Sequence, residues 1–134
     1  MFFLLDTNII NDLVRDPHGK VSRKISTLGL ARIATSIIVR CEIEFGLVKK
    51  GSTKLRKQLE TILSAIEVIH FSSPAHEKYG ELRATLMRTG KPIGPNDLFI
   101  AAHALSLGAI LVTNNEREFS RVPGLKVENW LRES

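Results

Sequence analysis

The chain of 134 residues has one cysteine, Cys41, so it cannot close an internal disulfide and nothing in it calls for an oxidising compartment. No apolar run approaches the roughly 20 residues that cross a bilayer. The opening MFFLL is ended by Asp6 and lacks the basic leader and small-residue cleavage site of a signal peptide, so the cytoplasm is the expected location. The histidines, His18, His70, His76 and His103, are scattered without zinc-ligand spacing and are expected at the surface or in the core, with no catalytic duty. There is no internal repeat, low-complexity tract or linker, and a chain of this length fits one domain, residues 1–134. Acids are in deficit: 14 Asp and Glu against 19 Lys and Arg give a formal charge of +5 and a pI near 9.7. That balance favours a polyanionic partner, although Arg15, Lys49, Lys50, Arg83, Arg88 and Lys91 could equally be solvated. With 43% hydrophobic and 25% charged residues, the composition is that of a globular protein and excludes a disordered chain.

Short β-like runs alternate with helical patterns. Strands are expected at Phe2–Leu5, Arg32–Thr35, Glu67–Phe71, Ala109–Val112 and around Lys126–Val127. Helices are expected near Thr7–Val14, Val21–Leu30, Ile37–Lys49, Thr53–Ala65, Pro74–Thr89 and Pro95–Leu107. Strands separated by helical crossovers imply an α/β fold with a short, mostly parallel sheet covered by helices on both faces. In such sheets ligands gather beyond the carboxyl ends of the strands, where Asp6 and the Thr113-Asn114-Asn115 segment would emerge.

Three acids interrupt apolar stretches: Asp6 in FFLLD, Glu42 in SIIVRCEIEFG and Asp97 in GPNDLFIAAHA. A carboxylate in such company is costly without a cation or a donor to meet it, which points to a shared acidic pocket that holds a metal. Each residue also has a plainer explanation. Asp6 could simply cap the first helix. Asp97 follows Pro95 in the first turn of a helix that is apolar nearly all round, where the helix dipole favours an acid. Glu42 could be solvated, yet at about 100° per residue Arg40 and Glu44 share one side of their helix while Glu42 points away from both. Gly46, one turn on from Glu42, would let a substrate or another backbone come close. Thr113-Asn114-Asn115 could close a crossover as an Asx turn.

Taken in order, the segments LLDTNII, TSIIVRCEIEFG, GKPIGPNDLFIAAHA and LVTNNEREFSRVPGLKVENW make the whole chain resemble PIN-domain ribonucleases, specifically the VapC toxins of bacterial type II toxin–antitoxin pairs. The resemblance implies that Asp6, Glu42 and Asp97 are the metal-binding catalytic acids and that Thr113 and Asn115 fill the remaining polar positions, with Asn8 nearby. It implies an RNA substrate, with tRNA among the targets of the family. Three acids suit the oxygen preference of a hard cation, so Mg²⁺ is the expected cofactor with Mn²⁺ as a substitute. It also implies a VapB-like antitoxin and a homodimer, or a larger assembly with the antitoxin. Many family members carry a fourth acid where this chain has Asn115. An amide ligates more weakly, so one metal ion is expected before substrate arrives.

The expected chemistry is metal-assisted phosphodiester hydrolysis, with Asp6 and Asp97 as principal ligands, Glu42 orienting water, and Asn8, Thr113 and Asn115 supporting them. A phospho-accepting switch or a haloacid-type phosphatase is disfavoured, since Asp6-Thr7-Asn8 is not the Asp-x-Asp such a phosphatase needs. A catalytically silent module that binds RNA or antitoxin around a structural metal remains the alternative. The apolar stripe Leu55, Leu59, Ile62, Leu63 and Ile66 suits the core, with part of it available to a partner.

Overall fold

A computed structural model describes residues 2–132. Along it run β1 (Phe3–Leu5), α1 (Thr7–Arg15), α2 (Lys20–Leu28), a 3-10 turn (Leu30–Arg32), β2 (Ile33–Ser36), α3 (Ile37–Lys50), α4 (Thr53–Ser64) and β3 (Glu67–Ile69). Then come α5 (Ala75–Arg88), α6 (Pro95–Leu107), β4 (Ile110–Val112), α7 (Glu116–Phe119) and β5 (Val127–Glu128). The strands form one sheet in the order β3-β2-β1-β4-β5, and every pairing among the described residues is parallel, beyond the mostly parallel sheet expected.

Parallel sheets are covered on both faces, so their inner strands are apolar throughout and do not alternate. FLL and ILV are buried along their whole length in β1 and β4. From β1 the chain winds outward through β2 to β3, then returns to the other side of β1 as β4. The carboxyl ends of β1 and β4 therefore border the point where the winding reverses, the position at which doubly wound sheets open a crevice. Asp6 N–H donates to the Val112 carbonyl at 2.9 Å and locks the two strand ends together there.

Helix boundaries follow local chemistry. Ser36 and Ser52 cap α3 and α4 by accepting from Ile38 N and Leu55 N at 3.0 and 3.1 Å. Gly51 and Gly108 end α3 and α6 in the left-handed conformation that glycine adopts without penalty. The near-continuous apolar surface of α6 buries Leu98, Ile100, Ala101, Ala102 and Ala104 in the core, and His103 Nδ1 hydrogen-bonds Ser36 Oγ at 2.8 Å. His103 is thus a core residue, and burial holds its pKa below the ordinary value. In α4, Leu59 and Leu63 are buried, so the stripe expected there faces mainly inward.

Two expected boundaries need correction by two residues each, and one element is new. The strand expected to reach Phe71 stops at Ile69, because the Phe71 ring turns edge-on to Phe99 and His103 of α6. The helix expected to reach Leu30 stops at Leu28, where Gly29 at φ 90° leads into the 3-10 turn. The one-turn helix α7 was not anticipated. No helix among the described residues is long and apolar enough to cross a membrane.

Candidate functional site

Asp6 leaves β1 and is 4% exposed. Its Oδ1 accepts from Thr7 N at 2.8 Å, so it caps α1, and its Oδ2 accepts from Thr113 Oγ1 at 2.7 Å and Asn8 Nδ2 at 3.3 Å. The capping role and a place in the pocket coexist in one side chain. Burial pushes the Asp6 carboxyl above its ordinary value against the Thr113 and Thr7 donors, and the nearby charge of Glu42 adds to the rise.

Thr113 directly follows β4 and is fully buried, and its hydroxyl also accepts from Asn115 N at 3.0 Å. Asn8 Oδ1 accepts from Asn114 N at 3.0 Å, which ties the start of α1 to the segment after β4. No Asx cap forms at Asn115. Its amide reaches across the pocket to Glu118 Oε2 at 2.8 Å and Asp97 Oδ2 at 3.4 Å.

Glu42 points away from Arg40 and Glu44, as the helical spacing requires. Glu44 pairs with Arg56 at 2.8 Å, while Glu42 accepts from Thr7 Oγ1 at 2.6 Å through Oε1 and from Asn96 Nδ2 at 3.3 Å through Oε2. α1, α3 and α6 therefore converge through Thr7, Glu42 and Asn96 beside Asp6.

Asp97 sits in the first turn of α6, with Pro95 at the head of that helix. Burial pushes its carboxyl up to about 7, and Glu118 reinforces the rise by accepting the Asp97 proton and by its charge. The charges of Asp6 and Glu42 act in the same direction. Burial would raise Glu118 as well, but the Gly94 N–H, the Asp97 carboxyl, the Asn115 amide and the charge of Arg121 outweigh it and hold Glu118 below its ordinary value. Of the two acids, Asp97 is thus the one that holds a proton more tightly and Glu118 the one that gives it up more readily.

Glu118 is the site residue that sequence reasoning missed. It stands one turn after Asn115 in α7, and its Oε1 accepts from Gly94 N–H. The carboxylate expected to be lacking at Asn115 is thus present in the pocket from a neighbouring position. The i, i+3 spacing of Asn115 and Glu118 within TNNEREF is the signal that could have found it.

Asp6, Glu42, Asp97, Asn8, Thr113 and Asn115 are thus brought into one hydrogen-bonded group with Glu118. As they stand, no three His, Cys, Asp or Glu side chains among the described residues are arranged to hold a metal ion. Their oxygens are engaged by Thr7, Thr113, Asn96 and Asn115.

Beside Glu42 a cleft of about 540 Å³ opens between α1, α3 and α4, lined by Val14, Ile43, Leu47, Leu55 and Leu59 with Arg15 and Lys50. Gly46 also lines it, and a Cβ there would meet nothing within 4 Å. On the other flank of Glu42, Ile38, Cys41, Phe45 and Phe99 line a second opening, with Phe45 69% exposed.

The PIN domain family matches residues 3–125 of the chain. Ribonuclease VapC2 of Rickettsia felis is 40% identical over 132 residues, which cover 97% of this chain and 98% of the relative. The tRNA(fMet)-specific endonuclease VapC of Shigella flexneri is 36% identical over 129 residues, covering 96% and 97%. Among solved structures, VapBC2 from Rickettsia felis bound to a DNA fragment from its promoter superposes with a TM-score of 0.89 at 38% identity, covering 97% of this chain and 99% of that one.

Proposed function

From the premise that this chain belongs to the PIN-domain family, in its VapC branch, we propose that it is an endoribonuclease toxin that hydrolyses RNA phosphodiester bonds with Mg²⁺, for which Mn²⁺ can substitute. tRNA is the favoured substrate class, given the activity named for the Shigella flexneri relative. The observation that carries the reading is the gathering of Asp6, Glu42, Asp97 and Glu118 at the reversal point of the sheet, with the Asp97 carboxyl raised to about 7. Burial and accumulated negative charge of this kind mark a pocket built for a cation.

The donor set fits a hard divalent ion, which takes carboxylate and amide oxygens and retains water. Asp6 and Asp97 would hold it directly, with Glu42 and Glu118 reaching it through bound water. When bound, such an ion polarises the phosphoryl group and lowers the pKa of water. Thr113 and Asn8 fix the Asp6 carboxylate through their hydrogen bonds, and Asn115 holds Asp97 and Glu118 in mutual register. Glu42, half-buried between Thr7 and Asn96, is placed to orient water and accept its proton.

The cleft between α1, α3 and α4 suits a VapB-like antitoxin segment, since its apolar floor opens beside Glu42 and an occupant there would cover the acids. The solved VapBC2 complex of Rickettsia felis supports a partner of that kind. The apolar patch of Ile38, Cys41, Phe45 and Phe99 would serve a homodimer.

The test is cleavage of purified tRNA by the antitoxin-free protein in Mg²⁺ and in EDTA, alongside Asp6→Asn and Asp97→Asn. Asparagine can retain the cap at Asp6, so both variants should fold and lose cleavage. Mg²⁺-dependent cleavage retained in either variant would remove that residue from the site. A wild-type protein that binds RNA without cutting it would leave only a silent binding module.

A further inference from the structure

A cavity of about 250 Å³ lies between the end of α5 and the start of α6, outside the acid cluster. The buried Leu86 and Leu98 form its base, Tyr79 and Ile93 are half-buried at its sides, and Arg83 and Met87 stand exposed at its rim. Met87 is 69% exposed, a large apolar side chain left in water. The Tyr79 ring is held in place by stacking on Phe99, with centroids 4.4 Å apart and planes 17° from parallel. Its hydroxyl in turn accepts from Arg83 Nη1 at 3.0 Å.

Among the described residues that line this cavity, the charge is cationic. Arg83 is the charged residue in its described lining, and Arg121 Nη1 donates to the Pro92 carbonyl at 2.7 Å. Arg88 and Lys91 adjoin Met87 and Pro92 in the chain. The cavity also adjoins the acid cluster. Pro95, which lines it, begins α6 two residues before Asp97, and Gly94 N–H donates to Glu118.

A mostly apolar cavity with a pre-set aromatic wall and an arginine at its rim matches a nucleotide, whose base is an apolar plane and whose phosphate is an anion. We propose that this cavity receives one base of the RNA substrate close to the cleaved bond, packed against Tyr79 and Met87, with Arg83 meeting the adjoining phosphate. The occupant makes Tyr79, Met87 and Arg83 determinants of sequence preference. This inference rests on the ribonuclease reading above.

The experiment uses the full-length, antitoxin-free protein and a randomised RNA library, with the cut ends sequenced and kinetics measured on a preferred oligonucleotide. Met87→Glu places an anion at an exposed rim position, and Ile93→Trp fills the cavity. Each should raise KM about tenfold, the loss expected for one stacked base, while kcat moves far less, and each should flatten the base preference at one position beside the cut. Met87→Leu should restore both. Unchanged KM and cut-site profiles in folded Met87→Glu and Ile93→Trp would overturn the proposal. So would an unchanged profile accompanied by loss of a dimer or of antitoxin binding, which would assign the cavity to a protein contact. A wild-type protein that cuts no member of the library would instead overturn the ribonuclease reading, and the base site with it.

Discussion

Thr113 Oγ1 donates to Asp6 Oδ2 at 2.7 Å across 107 residues of chain, and both side chains are buried where β4 and β1 end side by side. The same hydroxyl oxygen accepts from Asn115 N, so one atom sets the direction of the Asp6 carboxylate and the course of the chain toward Asn115. Thr113→Val keeps the shape of the side chain but leaves Asp6 short of a donor and Asn115 N–H short of an acceptor. The expected loss is about 1–3 kcal/mol, the cost of stranding buried polar groups. Urea denaturation measures it. Removal of a donor that lowers the Asp6 pKa should also raise that pKa further, readable by NMR titration of the carboxyl carbon.

Asp97 makes stability fall as pH rises. Its carboxyl goes from an ordinary 3.8 to about 7 in the folded protein, so between those values the native state binds the proton more tightly than the unfolded chain. The native state is therefore favoured by this group at acidic pH and loses that advantage as pH climbs through about 7. Glu118, held below its ordinary value, opposes the trend only at the acidic end. Asp97 is half-buried and partly screened, so the loss in metal-free protein should be about 1 kcal/mol, well below what the full shift would give. Asp97→Asn should abolish most of this slope. Melting temperatures from pH 4 to 8 in EDTA decide it, and an equal slope in both proteins would refute the assignment.

The same proton must leave when a cation arrives. At pH 7 a group with a pKa of about 7 is half protonated, so Mg²⁺ binding should release about half a proton there and almost none at pH 9. Titration calorimetry in buffers of different ionisation enthalpy reads this number directly. Proton release that did not change with pH would place the cation away from Asp97.

Asp6, Glu42 and Asp97 were legible because each breaks an apolar stretch, and a buried charge is costly enough to leave a mark in the sequence. The strand order was legible only as a class. Alternating elements imply a parallel sheet, but the placement of β4 beside β1 depends on packing between residues about a hundred positions apart, as Phe3 against Ile110 shows. Glu118 left no such mark. It lies among Glu116 and Arg117 in a charged run that would be solvated anywhere else, and α7 is a single turn, too short for periodicity to register. The edge strand β3 was overextended because Phe71 has strand propensity, while its ring is claimed by Phe99 and His103.

Glu118→Gln separates a working acid from a structural one. Glutamine can still accept from Gly94 N–H through its carbonyl oxygen, so the fold should be retained. What changes is charge, together with the acceptor that Oε2 gives the Asn115 amide. With its negative neighbour gone, and with an amide able to donate to its carboxylate, Asp97 should titrate below about 7, although burial, the larger cause, still holds it above the ordinary value. Since cation binding needs Asp97 deprotonated, the acidic limb of the pH–rate profile for RNA cleavage should move to lower pH. Cleavage at pH 8, where Asp97 is ionised in both proteins, should fall about 10–100-fold if Glu118 supports the bound ion. An unshifted acidic limb would mean that Glu118 acts only as a brace for Gly94, and a shifted limb with undiminished cleavage at pH 8 would mean that it tunes Asp97 without helping to hold the cation.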